Sequence, residues 1–131
     1  MSSVFSIAAS GLAAQSKRLE VTAANVANQR SVAPRPGAQP QAGEYVPHQV
    51  ALSSRAGGGV EAKAVPVSPP SVLVYEPGAP DADADGIVAR PNVDLATELV
   101  NLLDARRNFQ ANLKVIQAED RRLGDLLDVI S

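Results

Sequence analysis

The chain has 131 residues, a near balance of 12 Lys and Arg against 14 Asp and Glu, one His and no Cys. This length suits a single modest domain, and the charge provides neither a basic footprint for nucleic acid nor a polybasic patch for a membrane. Without Cys, disulfides, zinc–thiolate sites and a cysteine nucleophile are excluded.

The N-terminal flank predicts a long helix rather than a cleaved secretory signal. It has no charge before Lys17 and no long apolar run, so the usual pattern of a signal peptide is missing. Apolar and small residues recur at alternating three- and four-residue spacing, which predicts a heptad-like stripe on a helix from Ser3 to Gln29. The stripe consists of Phe5, Ala8, Leu12, Gln15, Leu19, Thr22 and Val26.

Two asparagines, Asn25 and Asn28, lie near the end of this predicted helix. One interpretation is that they terminate it, because Asn tolerates left-handed backbone. The other is that their amides bond to neighbouring backbone in a packed assembly. Both interpretations stay open at the level of sequence.

Proline divides the chain, because all ten prolines lie between Pro34 and Pro91. Proline lacks a backbone donor, so the flanks can be uninterrupted helices while the middle must be turns, edge strands and extended chain. We expect an irregular linker from Ser31 to Gly43, followed by a small Pro/Gly-rich β-hairpin module with a turn at residues 57–59. Its predicted strands are Tyr45–Ser53, Val60–Val67 and Ser71–Tyr75.

An acidic segment in the middle resembles the start of a calcium loop. Asp81, Asp83 and Asp85 alternate and are followed by Gly86, as in the first half of such a loop. Position 12 of the loop, however, is Asn92 instead of Glu, and the prolines before the segment preclude an entering helix. We therefore expect a solvated acidic turn and no metal or other cofactor, with the three carboxylates as the only candidate ligands.

The C-terminal flank carries the stronger helical pattern. Pro91 marks its boundary, and either Asn92 or Asp94 can cap its first turn. The same three- and four-residue spacing continues without a slip through Leu95, Leu99, Leu102, Arg106, Phe109, Leu113, Ile116, Asp120, Leu123, Leu127 and Ile130.

The apolar face of this second helix is wider than one seam. Val100, Leu103, Leu126 and Val129 lie outside the stripe, which indicates contact with several helices. Arg106 and Asp120 interrupt the stripe, either as solvated gaps or as polar residues that set register between helices; we favour register. An isolated pair of such helices would be marginally stable, so we expect neighbouring subunits to supply further burial.

The same residues carry a resemblance to a known family. Ser10–Leu19 with Ala24–Asn28, and Asn92–Leu95 with Glu98–Val100 and Arg106–Asn112, resemble the N- and C-terminal signatures of flagellar axial proteins. In the middle, residues 73–78, 80–86 and 91–93 are similar to the proximal members of the flagellar basal-body rod protein family. That family usually has His at the position of Ala79, an aromatic residue at Ile87 and Met at Arg90, and its central region is longer.

The resemblance implies an α+β fold in which the terminal helices pack as a coiled-coil-like pair. Residues 1–30 and 92–131 would form one domain, with the linker and β-rich module, residues 31–91, between them. It also implies a structural subunit of the proximal rod and not an enzyme. The expected assembly interface comprises Phe5, Leu12, Leu19, Asn25, Val26, Asn28, Leu95, Leu99, Leu102, Arg106, Phe109, Asn112, Leu113, Ile116, Asp120, Leu123, Leu127 and Ile130.

The implied partners are other rod proteins, copies of this chain, a rod-base adaptor with the membrane ring, and the flagellar type III export apparatus. No nucleic acid and no small-molecule substrate are expected. The implied location is the periplasm-spanning rod of the basal body, reached without a cleaved signal peptide. The alternatives are another rod or adaptor protein of the axial family, a calcium-dependent binding module, and a coiled-coil adaptor with one partner.

Overall fold

The computed structural model describes residues 2–130, and side chains from Val4 to Val129. Two long helices flank two small antiparallel hairpins, which confirms the α+β class. Neither helix in the described range is long and apolar enough to cross a membrane. In chain order the elements are α1 (Ser2–Ala27), β1 (His48–Ser54), β2 (Val60–Pro66), β3 (Ser71–Tyr75), β4 (Ile87–Pro91) and α2 (Leu95–Ile130).

The two helices pack against each other in antiparallel directions. Near the start of α1, Gly11 lies against Asn112, and near its end Asn25 bonds to Glu98. Helix α1 has 26 residues and α2 has 36, so the last turns of α2 extend past the level at which α1 begins.

Polar side chains define the helix boundaries. Helix α1 ends at Ala27, earlier than predicted, and the side-chain amide of the next residue, Asn28, donates to the carbonyl of Ala24 at 2.9 Å. Helix α2 begins after Asp94, whose Oδ1 accepts from the Thr97 N–H at 2.7 Å. The other candidate cap, Asn92, instead donates its amide to the carbonyl of Pro69.

The first hairpin pairs β1 with β2, from His48 opposite Pro66 to Ser54 opposite Val60. The turn contains Gly57, Gly58 and Gly59, which all have positive φ, a conformation that favours glycine. Strand β1 starts at His48, and the prediction of Tyr45 was wrong. Pro47 has no N–H to donate, and the N–H of Tyr45 is used by the carbonyl of Val32.

The second hairpin pairs β3 with a strand that the sequence reading missed. Strand β4, Ile87–Pro91, runs antiparallel to β3 with Val74 opposite Val88. The strand was missed because it is short, ends in proline and follows the acidic turn. Its pairing depends on β3, a partner that the local pattern does not reveal.

The buried apolar residues of the described chain are small. They are Ala8, Ala14, Val21, Ala33, Val88, Ala89 and Ala105, together with the prolines Pro34, Pro47 and Pro91. Ala33 belongs to the irregular linker, where its N–H donates to the carbonyl of Ala89 and so fixes the linker to the second hairpin. The subunit therefore has a thin core, and many of its large apolar side chains remain at the surface.

Candidate assembly surface

Helix α1 is covered by its own chain on two sides. All seven positions of its predicted stripe are buried or half-buried, among them Phe5, Leu12, Leu19 and Val26 of the predicted interface. The first hairpin covers a second side of the helix. There the hydroxyl of Ser10 accepts from the N–H of Val60 at 3.1 Å and donates to the carbonyl of Ile7.

Helix α2 contacts α1 through a seam that only partly coincides with the predicted stripe. We call the buried and half-buried positions that alternate at four- and three-residue spacing the inner seam; Asn101 is also half-buried but lies outside this spacing. The inner seam consists of Glu98, Leu102, Ala105, Phe109, Asn112, Ile116, Glu119 and Leu123. It therefore keeps five of the predicted interface residues and adds Glu98, Ala105 and Glu119.

The remaining predicted positions of α2 whose side chains are described lie outside the inner seam and form what we call the outer stripe. Its members are exposed, and they are Leu95, Leu99, Arg106, Leu113, Asp120 and Leu127. Leu99 is 50 % exposed and Leu127 is 69 % exposed. The four apolar residues predicted to widen this face, Val100, Leu103, Leu126 and Val129, are also exposed. The side chain of Ile130 lies outside the described residues.

This outer stripe is unusual for an isolated subunit. Large apolar residues that recur along one side of a helix normally pack against a neighbour, and contiguous exposed patches mark interaction sites. Arg106 and Asp120 lie within it as exposed residues. Their predicted role in setting register stays a prediction.

Asn25 of α1 forms hydrogen bonds both to α2 and to the start of the first hairpin. Its side chain is 1 % exposed. Its amide nitrogen donates to the carbonyl of His48 and to Glu98, both at 2.7 Å. Its amide oxygen accepts from the hydroxyl of Tyr45 at 2.8 Å and from the N–H of His48 at 3.1 Å. Within the subunit, Asn25 thus bonds to neighbouring backbone, whereas Asn28 lies at the end of the helix.

The acidic turn is held by arginines. Arg90 forms ion pairs with Glu76 at 2.7 Å and with Asp81 at 2.8 Å, and Arg35 pairs with Asp83 at 2.8 Å. The pKa of Asp83 is lowered by the N–H of Ile87 and then by the Arg35 guanidinium. The described residues contain no cluster of three His, Cys, Asp or Glu side chains arranged to hold a metal. Two of the three candidate calcium ligands therefore have protein partners.

A cleft of about 350 Å³ lies between α1, β1 and the first turns of α2. His48, Asp94 and Glu98 contribute to its walls. Asp94 caps α2 and Glu98 accepts from Asn25, so both carboxylates already serve the fold. Among the described residues of this cleft, no hydrogen bond joins the His48 imidazole to a hydroxyl that could act as a nucleophile.

Sequence reasoning missed the polar and small members of the inner seam. The missed members are Glu98, Ala105 and Glu119. Two are carboxylates and one is only a methyl group, so an argument from apolar periodicity expects these positions to face solvent. Ala105 is fully buried, and Glu119 is buried beside Arg122, whose hydrogen bond lowers the pKa of the carboxyl. No signal in the local pattern distinguishes this seam from the outer stripe, because both have heptad spacing.

Comparison with known proteins gives matches over both helical flanks. Residues 5–29 match the family described as flagella basal body rod protein, and residues 84–129 match the C-terminal family of the flagellar basal body rod FlgEFG proteins. The chain is 50 % identical over 115 residues to flagellar basal-body rod protein FlgC of Salmonella typhimurium, covering 86 % of this chain and 85 % of the relative. It is 35 % identical to FlgC of Agrobacterium fabrum, covering 99 % and 95 %.

Proposed function

This chain belongs to the flagellar basal-body rod protein family and is a structural subunit of the proximal rod; we propose that it polymerises helically through its terminal helices. Its relatives are structural rod proteins. Its place is the flagellar basal body, where it assembles with other rod components. In the proposed polymer the terminal helices form the wall of a shaft that transmits torque.

The observation that carries the proposal is the outer stripe of α2. Its leucines are between 41 % and 69 % exposed, although they recur with the spacing of a packed seam. Covering the exposed part of each leucine would contribute on the order of 1 kcal/mol, because full burial contributes about 1.5–3 kcal/mol. A subunit that leaves such a stripe uncovered gains stability when neighbours cover it.

The proposal includes the finer arrangement that the sequence suggested. Residues 1–30 and 92–131 form one domain that packs in a coiled-coil-like manner, and residues 31–91 form a separate β-rich module. The alternating spacing of buried positions on α1 and α2 supports this packing. All eighteen predicted interface residues remain candidates, with those of the inner seam acting indirectly by holding α2 in place.

The partners and the route are also proposed. The subunit would contact copies of itself, other rod proteins and the adaptor that joins the rod to the membrane ring. It would reach the periplasm-spanning rod through the flagellar type III export apparatus without cleavage of a signal peptide. The thin core, which favours easy unfolding, supports export through this apparatus.

The test replaces exposed leucines of the outer stripe with a charge. Leu99→Asp and Leu113→Asp should change the free energy of unfolding of the purified chain by no more than about 1 kcal/mol, because both side chains are already half exposed. Swimming of the source cell should be lost, and the variants should be exported but absent from purified basal bodies.

The matched control is Ala118→Asp, which places the same charge on an exposed position of α2 outside the outer stripe. It should be incorporated and should support swimming. Normal swimming and incorporation of the Leu99→Asp and Leu113→Asp subunits would refute polymerisation through this stripe.

A further inference from the structure

We propose that Asn25 is the register-determining residue of the subunit, selecting one antiparallel alignment of α1 on α2 and joining the first hairpin to that alignment. The inference concerns the internal geometry of the subunit, and it stands or falls independently of the proposed polymerisation. It rests on the hydrogen bonds of one buried side chain and on the repetitive character of the seam around it.

The apolar part of the seam does not define a unique register. On α1, the large apolar residues of the stripe, Phe5, Leu12, Leu19 and Val26, lie seven residues apart. On α2, the large apolar residues of the inner seam also lie seven residues apart; they are Leu102, Phe109, Ile116 and Leu123. A slip of one heptad would therefore again place large side chains against large side chains, and hydrophobic burial alone discriminates poorly between the two alignments.

Asn25 breaks this repetition. In the observed register all of its hydrogen-bonding capacity in the seam is used by Glu98, His48 and Tyr45. A slip of seven residues along α2 would place Ala105, which has no polar side-chain atom, where Glu98 now stands. The buried amide and the Glu98 carboxylate would both lose a partner, which is costly in a desolvated site.

The bonds of Asn25 also place the first hairpin. Both the N–H and the carbonyl of His48, the first residue of β1, bond to the Asn25 amide. The pKa of Tyr45 is raised by its burial and then by the nearby Glu98 charge, so its hydroxyl keeps the proton that it donates to Asn25. The Asn25 side chain therefore determines both the helix register and the position of the first hairpin. A single buried asparagine determines the register of a coiled coil in the same way.

A second contact is consistent with the same alignment. Gly11 lies against Asn112, where a Cβ on Gly11 would come within 2.5 Å of the Asn112 side-chain oxygen. Gly11 and Asn25 are fourteen residues apart on α1, and Asn112 and Glu98 are fourteen apart on α2. Gly11 excludes larger residues by size, whereas Asn25 selects its partner by hydrogen bonding.

The experiment traps the register with introduced disulfides. Because the chain has no Cys, no native thiol competes with the introduced pair. In the full chain, Ala8→Cys is combined with one of two partners. The Gly11–Asn112 and Asn25–Glu98 contacts place Ile116→Cys nearly level with Ala8, and Leu123→Cys lies one heptad further. A disulfide requires Cα atoms within about 7 Å, so each pair reports one register. With Asn25 present, only the Ala8–Ile116 pair should close, and failure of this pair would overturn the inference.

Replacement of the amide should release the register. With Asn25→Leu, both pairs should close, whereas Val26→Ala, a destabilising change next to it, should leave only the Ala8–Ile116 pair. If Asn25→Leu still closes only that pair, the inference is wrong, because the rest of the seam would then fix the alignment without Asn25.

A second pair of variants, which changes the charges at residues 25 and 98, tests the inference if Asn25→Leu does not fold. Asn25→Asp places two carboxylates together and should weaken or shift the register. Adding Glu98→Gln restores a donor–acceptor pair between the helices and should return closure to the Ala8–Ile116 pair alone. Equal disulfide yields for the single and the double variant would overturn the role of Asn25.

Discussion

Helix α1 and helix α2 have the same heptad spacing but different surroundings. Helix α1 is covered by α2 on one side and by the first hairpin on another. Its exposed positions are mostly small, such as Ala9, Ala13 and Ala23, and its exposed large apolar residues are Val4 and Ile7 near its start. Helix α2 is covered only along its inner seam, and its open side carries leucines. Small residues let the backbones of one subunit approach closely, whereas large exposed residues gain most when a neighbour covers them.

The two sides of α2 therefore have different roles, although both have heptad spacing. The inner seam, with Ala105 and the polar residues Glu98, Asn112 and Glu119, serves the subunit itself. The outer stripe contributes little to the isolated subunit and is available to neighbours. Heptad spacing therefore does not identify the helix against which a face packs. If the two sides of α2 are separate, substitutions in the inner seam should affect the stability of the subunit more than substitutions in the outer stripe.

The largest effect is expected at the inner seam. Ala105 is fully buried, so Ala105→Asp places a charge without a partner between the helices and should lower the free energy of unfolding by about 3 kcal/mol or more. Urea denaturation followed by circular dichroism measures the loss. The control, Leu103→Asp on the exposed side two residues away, should cost no more than about 1 kcal/mol. Equal losses would contradict the separation of the two sides.

A smaller effect distinguishes two helical glycines. Nothing lies within 4 Å of a Cβ built on Gly124 in α2, so Gly124→Ala should stabilise the chain by about 0.5–1 kcal/mol. Gly11→Ala in α1 should gain less or lose stability, because its Cβ would meet the Asn112 side chain. The double variant Gly11→Ala, Asn112→Ala should recover the gain in urea denaturation. A full gain from Gly11→Ala alone would show that this contact is loose.

The smallest effect concerns acid and the start of α2. The pKa of Asp94 is held below its ordinary value of 3.8, chiefly by the Thr97 N–H. A lowered pKa contributes stability above that ordinary value and loses it as the pH falls through the folded-state pKa. Helicity measured by circular dichroism should therefore fall on acidification. Asp94→Asn keeps a cap that does not titrate and should reduce that fall.

Helix α1 has no acidic residue in its first turn, so this component of acid sensitivity should belong to α2. Identical acid profiles for the original chain and Asp94→Asn would assign the loss of helicity to other carboxyl groups, such as Asp83 or Glu119, whose pKa values are also lowered.

Periodicity and proline placement in the sequence determined the main architecture. They predicted both helices, three of the four strands and the irregular linker, because heptad spacing and the absence of proline are local properties. The family signatures at the two ends were sufficient to suggest the rod, and the comparisons confirmed it. Strand β4 was missed because its partner lies outside its local sequence.

Only the tertiary structure decided which positions of α2 face α1. The sequence places Leu99 and Leu113 on the same stripe as Leu102 and Phe109, whereas the structure leaves the first two exposed and brings the last two into the inner seam. It also gave Asn25 its partners Glu98, Tyr45 and His48, which are distant in sequence. The physical reason is that burial and hydrogen bonding between distant segments depend on the three-dimensional arrangement, whereas periodicity specifies only that a face exists.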